Sequence, residues 1–125
     1  MILDTNALSA VAEGEPAAIT ELARASEIAI PVIVLGEYRF GIHRSRHRKE
    51  YERWLGSLLA VVRVIHVSEP TTTVYAQIRS ELKSAGTPIP SNDLWIAALC
   101  RQYAMPILTR DRHFDQVEGL IRINW

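Results

Sequence analysis

The stretch Glu27–Gly41, EIAIPVIVLGEYRFG, carries two periodicities back to back. Glu27–Pro31 alternates as a strand does, and its proline closes the strand because it cannot donate to a ladder. From Val32 to about Arg44 the pattern turns helical, with Leu35, Tyr38, Phe40 and Ile42 spaced along an apolar side. A strand that runs straight into a helix is the repeating unit of an α/β protein, and the flanking sequence repeats it.

Toward the N-terminus, Met1–Asp4 is a short apolar segment ending on a carboxylate, which reads as a buried strand, and Pro16–Ala25 spaces Ile19, Leu22 and Ala23 for a helix. Toward the C-terminus, Lys49–Leu59 places Tyr51, Trp54, Leu55 and Leu58 at helical intervals, and the β-branched Ala60–Val67 reads as a strand. Ser68-Glu69-Pro70 opens a helix with a cap and a proline in the first turn; that helix is expected to reach Ser84, stopped by Gly86 and Pro88. Asp93–Tyr103 is a further helix entered through Ser91-Asn92, and Pro106–Thr109 and Leu120–Ile123 are short strands around a helical turn. Alternation of this kind predicts a doubly wound, mostly parallel sheet between layers of helix, and ligands of such sheets bind at the carboxyl ends of the strands.

Composition narrows the class. With 125 residues, 48% of them hydrophobic, and no repeat or linker, the chain is expected to form one domain over residues 1–125. No apolar run approaches the ~20 residues of a bilayer span, and Met1–Leu3 leaves no room for a signal peptide, so a cytoplasmic protein with no membrane partner is expected. Cys100 is the only cysteine, which excludes an intrachain disulfide and a cysteine-rich zinc site. Acidic and basic residues balance at 14 each, which argues against a generic coat of positive charge for nucleic acid. All basic residues except Lys49 and Lys83 are arginine, a bias that phosphate binding and a GC-rich genome explain equally well.

The four aspartates are Asp4, Asp93, Asp111 and Asp115, whereas the ten glutamates mostly occupy helical, surface-like settings. Asp4, Glu37, Asp93 and Asp111 all fall near predicted strand ends or helix starts. Three or four carboxylates gathered there suit Mg²⁺ or Mn²⁺, which prefer hard oxygen ligands. Without a cation they repel one another. Taken singly, each has an ordinary reading: Asp4 and Asp111 as turn residues, Asp93 as a helix cap, Glu37 as a solvated face. Asp115, just after Phe114, fits a surface turn better than a ligand. The ordered set is what points to chemistry.

That set resembles a PIN domain and, within that family, the VapC-type toxins. Leu3-Asp4-Thr5-Asn6 is similar to the family's opening strand and first acidic position, and Val34–Gly41 to its second motif, with Glu37 in the acidic place. Pro90–Ala98 is similar to the third, which fixes Asp93, and Leu108–Phe114 to the fourth, which fixes Asp111. Two departures stand out: only three residues precede Asp4, which brings the charged α-amino group near the site, and Ser91-Asn92 replaces the usual small residues before Asp93.

The resemblance implies a three-layer α/β/α sandwich and a metal-dependent endoribonuclease that hydrolyses RNA phosphodiester bonds. Asp4 and Asp93 would be direct ligands of Mg²⁺ or Mn²⁺, with Glu37 and Asp111 completing the acidic pocket. Thr5, Asn6 and Thr109 are the donors expected to orient these carboxylates. Arg44, Arg46, Arg48 and Lys49, in the run HRSRHRK from His43, and Arg110 and Arg112 beside Asp111 are candidate RNA contacts, although a solvated loop explains the run as well. His113 is the only histidine near the site, and a structural role suits it better than a catalytic one. A VapB-like antitoxin and a homodimer are the partners implied. Competing readings are a housekeeping RNA-processing nuclease and a non-catalytic metal-binding interaction module. A receiver-type signalling domain lacks its adjacent aspartate pair and late strand-end lysine here.

Overall fold

The computed structural model describes all 125 residues. Five strands, β1 (Ile2–Leu3), β2 (Ala29–Pro31), β3 (Arg63–Ile65), β4 (Ile107–Leu108) and β5 (Arg122–Ile123), form one sheet in the order β3-β2-β1-β4-β5, with every pairing parallel. Six helices flank it: α1 (Thr5–Ala12), α2 (Pro16–Ala23), α3 (Val32–Ile42), α4 (Arg48–Leu59), α5 (Glu69–Ala85) and α6 (Ser91–Tyr103). A parallel sheet covered on both faces needs strands that are apolar on both faces. Ile2, Leu3, Ile30, Ile107 and Leu108 meet that requirement, being fully buried in the core with Leu8, Leu55, Ile78 and Leu99.

Local chemistry explains the element ends. Ser68 caps α5 through reciprocal bonds with Thr71, and Gly86 ends that helix in the left-handed conformation, φ +71°. Such a φ places a Cβ against the backbone, so glycine is the ordinary occupant.

The structure corrects several expectations. Asp4 stands extended before α1, a helix beginning at Thr5 that the sequence reading does not contain, and the alternative of a turn at Asp4-Thr5-Asn6 does not hold. Ala60–Val62 belong to the turn that ends α4, their amides bonding to Gly56 and Leu58 carbonyls, so β3 is shorter than the β-branched run. Helix α3 ends at Ile42 rather than Arg44, and Phe40 is 86% exposed instead of lying on the buried side. Val34, Leu35, Tyr38 and Ile42 fill that side, leaving Phe40 on a different stripe of the cylinder. The α-amino group is engaged away from the acidic residues: it donates to the Glu27 carbonyl, two residues before β2, and burial lowers its pKa.

The strand order reverses at β1, with β2 and β3 to one side and β4 and β5 to the other. The carboxyl ends of β1 and β4 therefore flank the crevice where ligands of open α/β sheets bind. Asp4 directly follows β1, and Asp111 follows β4 by three residues.

Candidate functional site

Asp4 is 5% exposed, so its carboxylate requires internal donors. The buried Thr109 hydroxyl donates to Asp4 Oδ2 at 2.7 Å, and Asn6 Nδ2 donates to the same oxygen at 3.1 Å. The Thr109 hydroxyl in turn accepts from Asn6 Nδ2 at 3.0 Å and from the Asp111 amide at 3.0 Å. One donor and two acceptor places are all that a hydroxyl has, and Thr109 uses each to tie β1, α1 and the segment after β4 together. On the neighbouring helix, Thr5 Oγ1 donates to Glu37 Oε1 at 3.0 Å. All three expected orienting residues thus contact the acidic set.

Opposite them, Asp93 stands in the first turn of α6 and Asp111 precedes a short 3₁₀ turn, Arg112–Gln116. His113 joins the two: Nδ1 lies 3.0 Å from Asp93 Oδ2 and 3.1 Å from Asp111 Oδ1, and its amide donates to Asp111 Oδ1 at 2.9 Å. Ligand atoms of Asp93, Asp111 and His113 all fall within 4.8 Å of one another. Two carboxylate oxygens and an imidazole nitrogen are a donor set that Mn²⁺ accepts, and the oxygens alone suit Mg²⁺.

The electrostatics follow from this crowding. Burial raises the Asp4 pKa, and the charges of Glu37 and Asp111 add to the rise against the lowering effect of Thr109. Burial likewise raises Asp93, with Asp4 and Asp111 contributing and the His113 hydrogen bond opposing. His113 is raised in turn, first by its bond to Asp93 and then by the nearby Asp111 charge. Asp4 thus feels the charges of Glu37 and Asp111, and Asp93 those of Asp4 and Asp111, whereas the ligand atoms that lie within 4.8 Å of one another are those of Asp93, Asp111 and His113, without Asp4 and Glu37.

A family model described as the PIN domain matches residues 1–120. The chain belongs to the PIN-domain family. It is 31% identical over 105 residues to ribonuclease VapC2 of Rickettsia felis, covering 83% of this chain and 78% of the relative. To ribonuclease VapC5 of Mycobacterium tuberculosis it is 28% identical over 120 residues, covering 94% and 87%. Among solved structures, the R. felis VapBC2 complex with a promoter DNA fragment matches with a TM-score of 0.88 at 28% identity, over 99% of this chain and 97% of that one. FitAcB from Neisseria gonorrhoeae matches with a TM-score of 0.84 at 28% identity, over 98% and 96%. The architecture of this PIN domain is accordingly the three-layer α/β/α sandwich around a parallel sheet.

The basic candidates divide. Arg44, Arg46, Arg48 and Lys49 are exposed and make no ion pair with a carboxylate. Arg112 is also exposed. Arg110 is engaged: its guanidinium pairs with Glu15 and lies 4.4 Å from the centre of the Trp125 ring. Its amide donates to Asn6 Oδ1 at 3.1 Å, so Arg110 braces the loop. Asp115 pairs with Arg122 at 2.7 Å, outside the acidic group. His113, expected near the site in a structural role, is the residue that bridges Asp93 and Asp111. Its position two residues after Asp111 was visible, but the approach of α6 to that turn was not.

Proposed function

We propose that this PIN domain, a single domain over residues 1–125, is a metal-dependent endoribonuclease of the VapC type and the toxin of a toxin–antitoxin pair. The observation that carries this reading is the approach of Asp93 on α6 and Glu37 on α3 to Asp4 after β1 and Asp111 after β4, through the His113 contacts with Asp93 and Asp111 and the Thr5 bond to Glu37. Relatives named as VapC ribonucleases, and structures of VapBC complexes, supply the reaction class and the kind of partner.

Asp4 and Asp93 would hold Mg²⁺ or Mn²⁺, with Glu37 and Asp111 completing the pocket and His113 at its Asp93–Asp111 edge. When bound, such an ion lowers the pKa of a coordinated water and neutralises charge developing on the phosphate. The protein's own part is positional. Thr109 and Asn6 fix the rotamer of Asp4, and Thr5 fixes Glu37, so the carboxylates need little reorganisation when substrate arrives. With a proton on Nδ1, His113 would donate to Asp93 and Asp111 and so hold the two carboxylates in register.

The acidic pocket also defines its inhibitor. A VapB-like antitoxin would insert an arginine whose guanidinium pairs with these carboxylates in place of the ion. The proposal includes a cytoplasmic protein that forms a homodimer; no helix is long and apolar enough to cross a membrane. Purified protein freed of its partner is expected to cut RNA in Mg²⁺ or Mn²⁺ and to stop in EDTA. Undiminished cleavage in EDTA refutes the metal mechanism, and 5′-end mapping after brief induction identifies the RNA cut.

A further inference from the structure

Phe40 is 86% exposed, and every other aromatic side chain of this protein is buried or half-buried. An exposed phenylalanine on a helix costs solubility and contributes nothing to the core. Phe40 also stands apart from the aromatic pairs of the structure, Tyr38 with Trp54 and Tyr75 with Trp95. Folding therefore does not explain it.

Its position is specific. Ile33, Gly36, Glu37 and Phe40 recur at the spacing of one helical face, and they line an open cleft of about 540 Å³ together with Thr5 and Asn92. Phe40 sits three residues beyond Glu37, close to one turn of helix further along the same stripe. Glu37 itself lines the cleft, Thr5 bonds Glu37, and Asn92 adjoins Asp93, so the cleft that Phe40 lines borders the acidic residues. Beyond Phe40 the same helix leads into Arg44, Arg46, Arg48 and Lys49, exposed cations without carboxylate partners. Along the chain, α3 and the segment after it present in succession a carboxylate, an exposed aromatic face and a run of exposed positive charge. Proteins that hold unpaired nucleic acid combine these last two features: aromatic faces for bases and cations for the backbone.

We propose that Phe40 is a stacking platform for a base of the RNA substrate adjacent to the phosphate held at the acidic group, with Arg44–Lys49 taking the following phosphates. This rests on the ribonuclease reading above and names a substrate-positioning residue for it. A stacking site needs a flat π face and not mere apolar volume, which separates it from a contact with another protein.

The test compares the parent with Phe40→Ala, Phe40→Leu and Phe40→Tyr. KM and kcat are measured on a short single-stranded RNA in Mg²⁺, and binding of the same fluorescein-labelled RNA is measured by anisotropy in EDTA. Phe40 is exposed, so all four proteins are expected to melt at the same temperature. Phe40→Ala and Phe40→Leu should raise KM and weaken binding about ten-fold with kcat unchanged, and Phe40→Tyr should restore both. Leucine restoring what alanine loses, or KM indifferent to residue 40, overturns the inference; if residue 40 then alters only antitoxin binding or dimerisation, Phe40 is a protein contact. A parent that cuts RNA regardless of residue 40 leaves the nuclease reading standing and removes the stacking role. A parent that binds RNA through Phe40 in EDTA and never cuts it does the reverse.

Discussion

Replacing Thr109 with valine keeps the shape of a fully buried side chain and deletes one hydroxyl that serves three partners. The Asp4 carboxylate loses its shortest donor, and the Asp111 amide and Asn6 lose an acceptor. A hydrogen bond to a charged, buried group is worth about 1.5–3 kcal/mol, and stranded partners push the cost toward the upper end, about 2–3 kcal/mol. For 125 residues the unfolding entropy is about 0.26 kcal/mol per degree, so the melting temperature should fall by about 8–12 °C. The loss should also depend on pH. The folded Asp4 pKa is already raised by burial and by its acidic neighbours, and the Thr109 bond is the first influence opposing that rise. Removing it raises the folded value further. A raised folded carboxyl pKa means stability retained at low pH and lost as pH climbs through the folded value. The gap between parent and variant should therefore be smaller near the ordinary aspartate value of 3.8, where the lost Asn6 and Asp111 contacts remain, and widest at about pH 8. Melting curves of metal-free protein at both pH values decide it. A drop under about 2 °C, or one of equal size at both pH values, would refute the view that Thr109 makes an ionised Asp4 tolerable.

Asp93→Asn keeps shape and capping capacity while removing one charge from a crowded set. Metal-free, it should be at least as stable as the parent at neutral pH, because ionising Asp93 in the folded state is disfavoured by burial, Asp4 and Asp111. It should gain less from Mn²⁺ in melting curves, and RNA cleavage should fall by orders of magnitude; equal Mn²⁺ shifts with equal cleavage rates count against its role. His113 should titrate above its ordinary 6.5, with its contribution to stability present below that value and lost as pH rises through the folded one. NMR titration of the imidazole should show its pKa falling in Asp93→Asn and on adding Mg²⁺; a pKa unmoved by both would mean that the Asp93 contact does not persist in solution.

Much of this was legible in the residues because it depends on local chemistry. The alternation of strands and helices predicted the parallel sheet, and Ser68 and Gly86 marked both ends of α5 through their own hydrogen-bonding and φ preferences. The acidic set was legible as ordered motifs rather than through any single carboxylate, each of which had an ordinary local explanation. What was not legible depends on packing. Periodicity grouped Phe40 with Leu35, Tyr38 and Ile42, yet α3 carries two adjacent apolar stripes, and only the neighbours α1, α4 and β2 decide which is covered. Asp4-Thr5-Asn6 also suited a turn; in the structure α1 begins at Thr5 and the Asp4 carboxylate is held by Thr109 and Asn6, the first of them remote in sequence. Arg110 looked free beside Asp111, but its partners Glu15 and Trp125 are remote in sequence and adjacent only in the fold.

The pairing of β1 with β4 joins Ile2 to Ile107 and Leu3 to Leu108, and the bond that steadies Asp4 spans 105 residues. Half of the acidic group thus comes from the first third of the chain and half from the last. During synthesis the residues that carry Asp4 and Glu37 are made well before β4 and Thr109, on which the placement of Asp4 depends. A growing polypeptide has no assembled centre until β4 and the turn after it have cleared the ribosome. For a ribonuclease, the centre is thus a property of the closed sheet and of neither flank of it alone.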